Sequence, residues 1–362
     1  MSNASDRYTI AHLLVATSLA KLAGIGAVVA GAAALFAWTG GWFTPGALTP
    51  ARIIDTFQQA NGAHPGFRRN HSKGVCFDGT FTGSGAASRL SKAQLFGQRT
   101  VPVFGRFALA AAVPMVPDAP KTVRSMAVQF NLANGEMWRS GMNDIPVFPT
   151  KDGQAFFDLL RAGMPDKTTG KPDPELMKAF VAAHPESAKA FALIGATAFS
   201  SGFADAQYNG LNAFLFTNGD GKGTSVRWSV VPVDPFQPAL ATPPDDKNFL
   251  FTALAERLKK GPVEWHLAVT IGQAGDPTND ATVPWPDSRE KVDAGTLRIT
   301  SLASETEGNC RDINFDPTVL PSGIAVSDDP LLSARAAAYS TSFNRREGEA
   351  KTPSAVQITG GK

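Results

Sequence analysis

An uncharged apolar run near the amino terminus constrains this chain more than any other feature. It extends from Leu22 to Phe43, "LAGIGAVVAGAAALFAWTGGWF", and a helix needs ~20 apolar residues to cross a bilayer. Aromatic residues that suit a membrane interface lie at its far end: Trp38, Trp42 and Phe43. The positive charges of Arg7 and Lys21 precede the run. This arrangement predicts a membrane anchor with a cytoplasmic start and export of the rest of the chain.

A cleaved signal peptide is the alternative to a retained anchor. Small residues from Ala32 to Ala34 offer a site for signal peptidase. A retained segment would make the protein a single-pass inner-membrane protein with its main domain facing the periplasm, and a cleaved one would release that domain into the periplasm. We expect an anchor or signal segment with a short linker over residues 1–48, a core domain over 49–350 and a tail over 351–362.

Composition narrows the kinds of partner and site. The chain has 34 Lys and Arg residues against 32 Asp and Glu residues, a net charge of +2. Recognition of nucleic acid needs a basic face, so we expect no nucleic-acid partner. The five histidines lack the paired spacing of zinc sites. Cys76 and Cys310 are too few for a disulfide framework or a four-cysteine zinc site, although they allow one bridge.

The pattern of elements after residue 50 predicts an α+β fold with an antiparallel sheet or barrel. Strand-like apolar runs come first, and helical spacing is interleaved later. The stretch 217–225, "TNGDGKGTS", favours a hairpin turn over a calcium loop, because the full ligand spacing is missing. Helices are predicted in "PARIIDTFQQANG", "GQAFFDLLRAG", "PELMKAFVAAHPESAKAFALIG" and "DKNFLFTALAERLKKG", and strands at 99–112, 123–131, 211–217, 225–232, 264–272 and 295–302.

A further helix, predicted in "PLLSARAAAYSTSFNRR", places a tyrosine between two arginines. Arg335 and Tyr339 are four residues apart and Arg346 is seven further on, so the three share roughly one face. One interpretation is a buried tyrosine with a satisfied hydroxyl and solvated arginines. The other is a phenolate. The pKa of an unperturbed tyrosine is ~10, and neighbouring cations together with a ferric ion would lower it.

Four motifs in order give the chain a resemblance to a known family. "FDPTVLPSGIAVSDDPLLSARAAAYSTSFNRR" (315–346) resembles the catalase proximal signature, and "RRNHSKG" (68–74) resembles the distal one. "SKAQLFGQRTVPVFGRF" (91–107) is similar to the strand and haem-propionate region of catalases, and "NDIPVF" (143–148) to their distal asparagine segment. The resemblance covers about residues 55–346. It implies a catalase-like antiparallel β-barrel core with helices.

The resemblance also implies a haem cofactor and a functional role for each of eight residues. His71 matches the distal acid/base, and Asn143 matches its hydrogen-bonding partner. Tyr339 matches the axial iron ligand, since tyrosinate ligates haem in catalases, and Arg335 matches the residue that keeps it ionised. The other residues match haem contacts: Arg68, Arg106 and Arg346 with the propionates, and Phe148 with the ring.

Departures from the family pattern point to its minimal, catalase-related branch. Ala108 stands where many catalases have a serine that orients the distal histidine, so the tautomer of His71 is expected to be held differently. Pro149 replaces a phenylalanine, and "STSFNRR" follows Tyr339 in place of the usual continuation. The resemblance implies a short, wide access channel. We therefore predict a peroxidase that uses an organic electron donor to reduce hydrogen peroxide or organic hydroperoxides, with weak or no catalase activity.

Two other functions stay open at the sequence level. The same haem core would suit a fatty-acid hydroperoxide isomerase or lyase, helped by membrane proximity. A membrane-tethered barrel that binds a small apolar ligand without turnover is the non-catalytic alternative. The expected partners are a peroxide, a small organic donor and, through the amino-terminal segment, a membrane; homo-oligomerisation is left open.

Overall fold

The computed structural model describes residues 4–40, 46–166, 168–308 and 310–358. The chain divides into two compact units, Met1–Thr49 and Pro50–Lys362. The boundaries predicted at residues 48 and 350 stay predictions.

The first unit consists mainly of one long helix, α1 (Ala4–Thr39). Within it, Lys21–Thr39 forms 19 residues with a mean hydropathy of 1.8, long and apolar enough to cross a membrane. Length and composition alone support this, and a signal sequence has the same properties. Trp42 and Phe43, predicted to lie at a membrane interface, fall outside the described residues.

The second unit is built on a closed antiparallel barrel. Eight strands follow each other in the order β7-β5-β4-β3-β2-β1-β9-β8, and pairing between β7 and β8 closes the ring, while β6 and β10 extend the sheet beside β7. This confirms the predicted α+β class and barrel core. The strands are β1 (Gly74–Gly83), β2 (Thr100–Leu109), β3 (Arg124–Asn131), β4 (Met137–Asn143), β5 (Tyr208–Asn209), β6 (Phe214–Thr217), β7 (Gly223–Pro232), β8 (Val263–Ile271), β9 (Lys291–Ala303) and β10 (Ile324–Val326).

Strand β1 lies between β2 and β9 but was not predicted. Its sequence, "GVCFDGTFTG", contains glycines that lower β propensity. The structure explains one of them, because a Cβ added at Gly79 would lie 2.1 Å from the carbonyl oxygen of Arg298 on β9. Close approach of two backbones therefore replaces side-chain packing at this point.

The barrel interior is filled by aromatic side chains. Trp138 on β4 stacks on Phe130 of β3 at 4.7 Å between ring centroids and meets Trp228 of β7 edge-on at 4.9 Å. Such contacts add to the free energy gained by burying large apolar surfaces. The predicted 217–225 turn joins β6 to β7 as a hairpin, with Gly221 at a φ of 83°.

Among the helices, α2, α3 and α8 contact one another. The helical pattern over 174–195 is interrupted at His184, which has a ψ of 73°. Pro185 causes this break, because proline disfavours helical geometry in the residue before it. The helices are α2 (Pro50–Asn61), α3 (Gly153–Ala162), α4 (Pro174–Ala183), α5 (Pro185–Ala196), α6 (Phe249–Lys259), α7 (Glu305–Gly308) and α8 (Pro330–Glu347).

Two connections fasten the chain after β9. A disulfide joins Cys76 of β1 to Cys310, so the one bridge that the sequence allowed is present. Beyond α8, the backbone N–H of Thr306 donates to Ser354 Oγ at 2.7 Å, and Val356 is buried in the core. The described residues 351–358 therefore pack against the rest of the second unit.

Candidate active site

A cavity opens between helices α2, α3 and α8 and strands β2, β3 and β4. It encloses about 1260 Å³ of space between atoms, including its mouth. Its lining contains every residue that the sequence singled out: Arg68, His71, Arg106, Asn143, Phe148, Arg335, Tyr339 and Arg346. Residues separated by up to 278 positions (346 − 68) thus share one space. Their individual roles stay predictions.

His71 lies in the turn before β1 and faces the cavity. Its φ of 53° is in the left-handed region, which is costly for most residues and is found at functional sites. Asn70 Oδ1 accepts a hydrogen bond from the His71 backbone N–H at 2.9 Å and supports this conformation. Burial lowers the pKa of the imidazole to about 3, helped by the charges of Arg106 and Arg335. The imidazole is therefore neutral at physiological pH.

A serine fixes the orientation of the imidazole. Ser125 Oγ lies 2.8 Å from His71 Nδ1 and also donates to the carbonyl oxygen of Ala108 at 3.3 Å. With the imidazole proton on Nδ1, Oγ accepts from Nδ1–H while its hydroxyl donates to Ala108, and Nε2 is then free to accept a proton. The expectation that the tautomer of His71 is held differently thus has a structural counterpart. Ser125 of β3 is paired directly with Ala108 of β2.

Asn143 lies next to Ser125 on the neighbouring strand of the sheet. It is the β4 partner of Ser125 in the antiparallel register, so Ala108, Ser125 and Asn143 follow one another over three strands. Asn143 Oδ1 is buried without a hydrogen-bond partner among the described residues. Because buried polar atoms are rarely left unpaired, this amide is suited to a ligand in the cavity.

A chain of polar contacts connects Tyr339 to the N-terminus of α8. Arg335 Nη2 donates to Tyr339 Oη at 3.4 Å, and Arg335 Nη1 donates to Asn212 Oδ1. Asn212 Nδ2 in turn donates to Asp329 Oδ2 at 2.8 Å. Asp329 is also the N-cap of α8, since its carboxylate accepts from the Leu331 N–H at 2.9 Å. The carboxylate of Asp329 thus caps the start of α8 and also binds Asn212, the residue that accepts from Arg335 of the same helix.

Three arginines converge at another part of the cavity. Burial and the charges of Arg346 and Arg106 hold the pKa of Arg68 well below its usual value. Burial and Arg106 likewise lower the pKa of Arg346 to about 10. Arg106 Nε donates to Glu305 Oε1 at 2.7 Å. The three arginines and Glu305 together carry a net charge of +2 (3 − 1). Among the described residues, Arg68 Nε, Arg346 Nε and Arg346 Nη2 are buried without hydrogen-bond partners. This cluster is suited to an anionic ligand.

A match to a known family agrees with this geometry. The family model described as Catalase matches residues 40–353. The chain belongs to the catalase family.

The chain is similar in sequence to named proteins of several organisms. The chain is 36% identical over 312 residues to a catalase-related peroxidase of Synechococcus elongatus, covering 84% of this chain and 90% of that one. It is 34% identical to a catalase-related peroxidase of Mycolicibacterium paratuberculosis, of which it covers 96%. Identity to a catalase of Pseudomonas syringae is 27%, with 63% of that protein covered.

Solved catalase structures share the fold of this chain. A bacterial catalase superposes with a TM-score of 0.69 at 21% identity, covering 83% of this chain and 62% of its own. A fungal catalase superposes with a TM-score of 0.71 at 15% identity, covering 84% and 66%. At these identities the likeness concerns the fold.

The residues present fit a haem, the cofactor of catalase family proteins. Haem carries two propionate carboxylates, and the arginine cluster has a net charge of +2 together with unpaired donors. Small residues on the sheet and on α8 line the cavity and leave room for a flat ligand: Ala127, Gly141, Ala334 and Ala338. Gly141 of the sheet contacts Arg335 directly, since Arg335 Nη2 donates to its carbonyl oxygen at 3.4 Å.

Some lining residues were not predicted from the sequence. Ile53 and Ile54 of α2 are buried, while Phe57 of α2 and Phe156 of α3 are partly exposed and 6.0 Å apart between ring centroids. These four residues, which we call the apolar wall, form an apolar part of the cavity lining. The amphipathic pattern of α2 indicated a buried face but not what that face covers.

Proposed function

We propose that this protein is a haem-dependent peroxidase that reduces hydrogen peroxide or organic hydroperoxides with an organic electron donor and has weak or no catalase activity. One observation carries the proposal: a single cavity holds a neutral imidazole, an arginine-bonded phenol and a cationic cluster with unpaired donors. Each of these features meets one requirement of a ferric haem or of peroxide chemistry.

Tyr339 would hold the iron through its phenol oxygen, the arginine cluster would hold the propionates, and Phe148 would contact the ring. When bound, ferric haem supplies the redox chemistry, because its iron binds peroxide and takes up the oxidising equivalents. Arg335 would hold the phenol oxygen of Tyr339 in position as a ligand, because its Nη2 donates to Oη at 3.4 Å.

His71 would move the proton. In the Nδ1–H tautomer, Nε2 is unprotonated, so it would accept a proton from one peroxide oxygen and return it to the other as the O–O bond breaks, and that oxygen would leave as water or an alcohol. Ser125 keeps the ring aligned during this transfer by accepting from Nδ1–H. Asn143 would orient the peroxide through its side-chain amide, which has unused hydrogen-bonding capacity.

The proposal of a peroxidase with an organic donor has two supports. The relatives named catalase-related peroxidase are 36% and 34% identical to this chain, whereas the catalase of Pseudomonas syringae is 27% identical. The apolar wall also offers a contact surface for uncharged organic molecules. Hydrogen peroxide alone would not need such a surface. The same wall would admit a lipid hydroperoxide, the substrate of the isomerase alternative.

Spectroscopy and product analysis test the proposal together. Purified wild-type protein should show a ferric Soret band, and Tyr339→Phe should lose the tyrosinate-type spectrum, because the phenol oxygen is removed while the ring is kept. With hydrogen peroxide, product formation should depend on an added donor, and little oxygen should be released. Wild-type protein without any Soret band would refute the haem proposal. Ketone or epoxide products from a lipid hydroperoxide without a donor would support the isomerase instead.

We also propose that the second unit works in the periplasm. The candidate span at Lys21–Thr39 supports export, and so does the buried disulfide between Cys76 and Cys310. Disulfides persist in oxidising compartments and are rare in the cytosol. A fusion of alkaline phosphatase after residue 358 should be active in a bacterial host, and an inactive fusion would contradict export.

A further inference from the structure

Two of the three clustered arginines are held by one short stretch of chain. The stretch comprises the described residues 305–308 and 310–313, which follow β9, and we call it the arginine clamp. Its first residue, Glu305, accepts from Arg106 Nε at 2.7 Å. Both side chains are almost fully buried, at 3% and 1% exposure for arginine and glutamate. Glu305 Oε2 has no partner among the described residues, so the carboxylate is committed to Arg106 through one oxygen.

The same stretch binds Arg68 through backbone oxygens. Arg68 Nη2 donates to the carbonyl oxygens of Cys310 at 3.0 Å, Arg311 at 3.3 Å and Ile313 at 2.7 Å. Neutral carbonyls orient a guanidinium without cancelling its charge. One end of Arg68 is therefore fixed, while its buried Nε has no hydrogen-bond partner within the described part of the chain.

The clamp is fastened to the barrel by the disulfide. Cys76 lies on β1 and Cys310 in the clamp, and their sulfurs are bonded. A Cβ added at Gly308 would lie 2.5 Å from the Cβ of Cys76, so the clamp also packs closely on the strand. On its other side, Arg311 donates to the carbonyl oxygen of Thr352 and to Ser354 Oγ. The position of the clamp thus depends on contacts with both β1 and the carboxyl-terminal residues.

We propose that the arginine clamp, fastened by the Cys76–Cys310 disulfide, positions Arg68 and Arg106 to bind the carboxylates of the cofactor. The inference rests on the proposed function, because haem supplies those carboxylates. Glu305 and the two cysteines are positioning residues, since they act through the arginines. Long flexible arginines lose rotamer freedom when they bind, and a prearranged pair has already lost much of it before the cofactor enters.

Haem titration of the apoprotein tests the disulfide without depending on activity. The double variant Cys76→Ser, Cys310→Ser removes the bond and leaves no free thiol. It should bind haem roughly ten- to a hundredfold more weakly, the usual loss when the partner that orients a ligating group is removed. Circular dichroism on the same samples establishes that the barrel is folded. An unchanged haem affinity in the folded double variant would overturn the proposal.

Two substitutions of Glu305 separate positioning from charge. Glu305→Ala removes the acceptor for Arg106 and should weaken haem binding at least about tenfold, whereas Glu305→Gln keeps an acceptor oxygen and should largely restore it. If Glu305 acted only by repelling the propionates, both variants would bind haem more tightly than wild type, which would refute the proposal. These variants keep the disulfide, so they decide the question even if the double serine variant fails to fold.

A matched control is available elsewhere in the second unit. Asp276 accepts from Arg289 Nε at 2.8 Å, as Glu305 does from Arg106, and it does not line the cavity. Asp276→Ala should lower thermal stability and leave haem affinity unchanged. An equal loss of affinity in this variant would mean that global destabilisation explains the effect and would contradict the clamp. Wild-type protein that binds no haem would instead refute the proposed function itself.

Discussion

The two sides of the cavity are built in different ways. On the helix side, Arg335 and Tyr339 are neighbours because both belong to α8 and are four residues apart. On the sheet side, His71, Ser125 and Asn143 meet only because β3 pairs in register with β2 and β4. The helix side therefore depends on local spacing, and the sheet side depends on the register of the barrel.

This difference means that substitutions should act differently on the two sides. A helix-side contact is supported by one element and by its N-cap, so its loss is expected to affect stability and function together. A sheet-side hydroxyl can come from either of two paired strands, so its loss should be repairable from the neighbouring strand.

The largest effect is expected from His71→Ala. The substitution removes the proposed proton acceptor at Nε2 but keeps the arginine cluster, so peroxide turnover should fall by ~10²–10⁴-fold. Haem content, measured from the Soret band, should stay near that of wild type. Stopped-flow mixing with hydrogen peroxide measures the rate. Turnover within a few-fold of wild type would contradict the proposed role of His71.

A smaller effect is expected from Ser125→Ala. Loss of the hydrogen bond to His71 Nδ1 should reduce the rate up to about tenfold, because one neutral hydrogen bond contributes about 0.5–1.5 kcal/mol. Nitrogen-15 spectra of histidine-labelled apoprotein should show that His71 shifts from the Nδ1–H tautomer toward a mixture. Only five histidines need to be distinguished. Ser333→Ala, on an exposed part of α8, is the matched serine control.

The rescue variant tests the register directly. Adding Ala108→Ser to Ser125→Ala moves the hydroxyl to the directly paired position on the adjacent strand. Rate and tautomer should return toward wild type, since both positions line the cavity beside His71. A double variant as slow as the single one would show that the location of the hydroxyl on β3 is essential, and the sheet side would then tolerate no exchange between paired strands.

Asp329→Ala should act on the helix side and mainly on stability. It removes the N-cap of α8 and the acceptor for Asn212 Nδ2, so the free energy of unfolding should fall by ~1 kcal/mol or somewhat more. Urea denaturation measures this change. Because Asn212 also binds Arg335, the spectrum of the bound haem should change as well. If stability fell while the haem spectrum stayed the same, Asp329 would act only as the N-cap of α8 and would not position Arg335.

The same contrast explains which parts were predictable from the sequence. The spacing of Arg335 and Tyr339 within one predicted helix was readable, and the resemblance to catalases located His71 and Asn143. Ser125 was not, because the hydroxyl lies on a different strand from Ala108 and only the cross-strand register brings it to His71. Local patterns do not encode such pairings.

Other misses have equally physical causes. Asn212 and Glu305 are far from Arg335 and Arg106 in the sequence, and burial next to an arginine leaves no local signature. Glycine-rich β1 escaped detection because close backbone approach takes the place of β-branched side chains. The predicted helix around 174–195 was wrong at one point, His184, where Pro185 ends α4 and begins α5.

The last prediction concerns the pH dependence of stability, through the charges that act on His71 in the cavity. The pKa of His71 is lowered to about 3, first by burial and then by Arg106, Arg335 and Arg68. In the unfolded chain the pKa of a histidine is ~6.5. As the pH falls, the unfolded state therefore binds a proton at His71 before the folded state does. The contribution of His71 to stability is thus complete above pH ~6.5 and decreases as the pH falls toward 3.

Haem carboxylates would neutralise two of the cations that lower this pKa, namely Arg68 and Arg106. The pKa of His71 should therefore be higher in the haem-loaded protein than in the apoprotein, and apoprotein stability should decline more steeply between pH 6 and 4. Urea denaturation of both forms at several pH values measures the two slopes, and His71→Gln should reduce the slope of the apoprotein. Equal slopes in both forms would show that the arginine cluster does not act on the imidazole, and the two ends of the cavity would then be electrostatically independent.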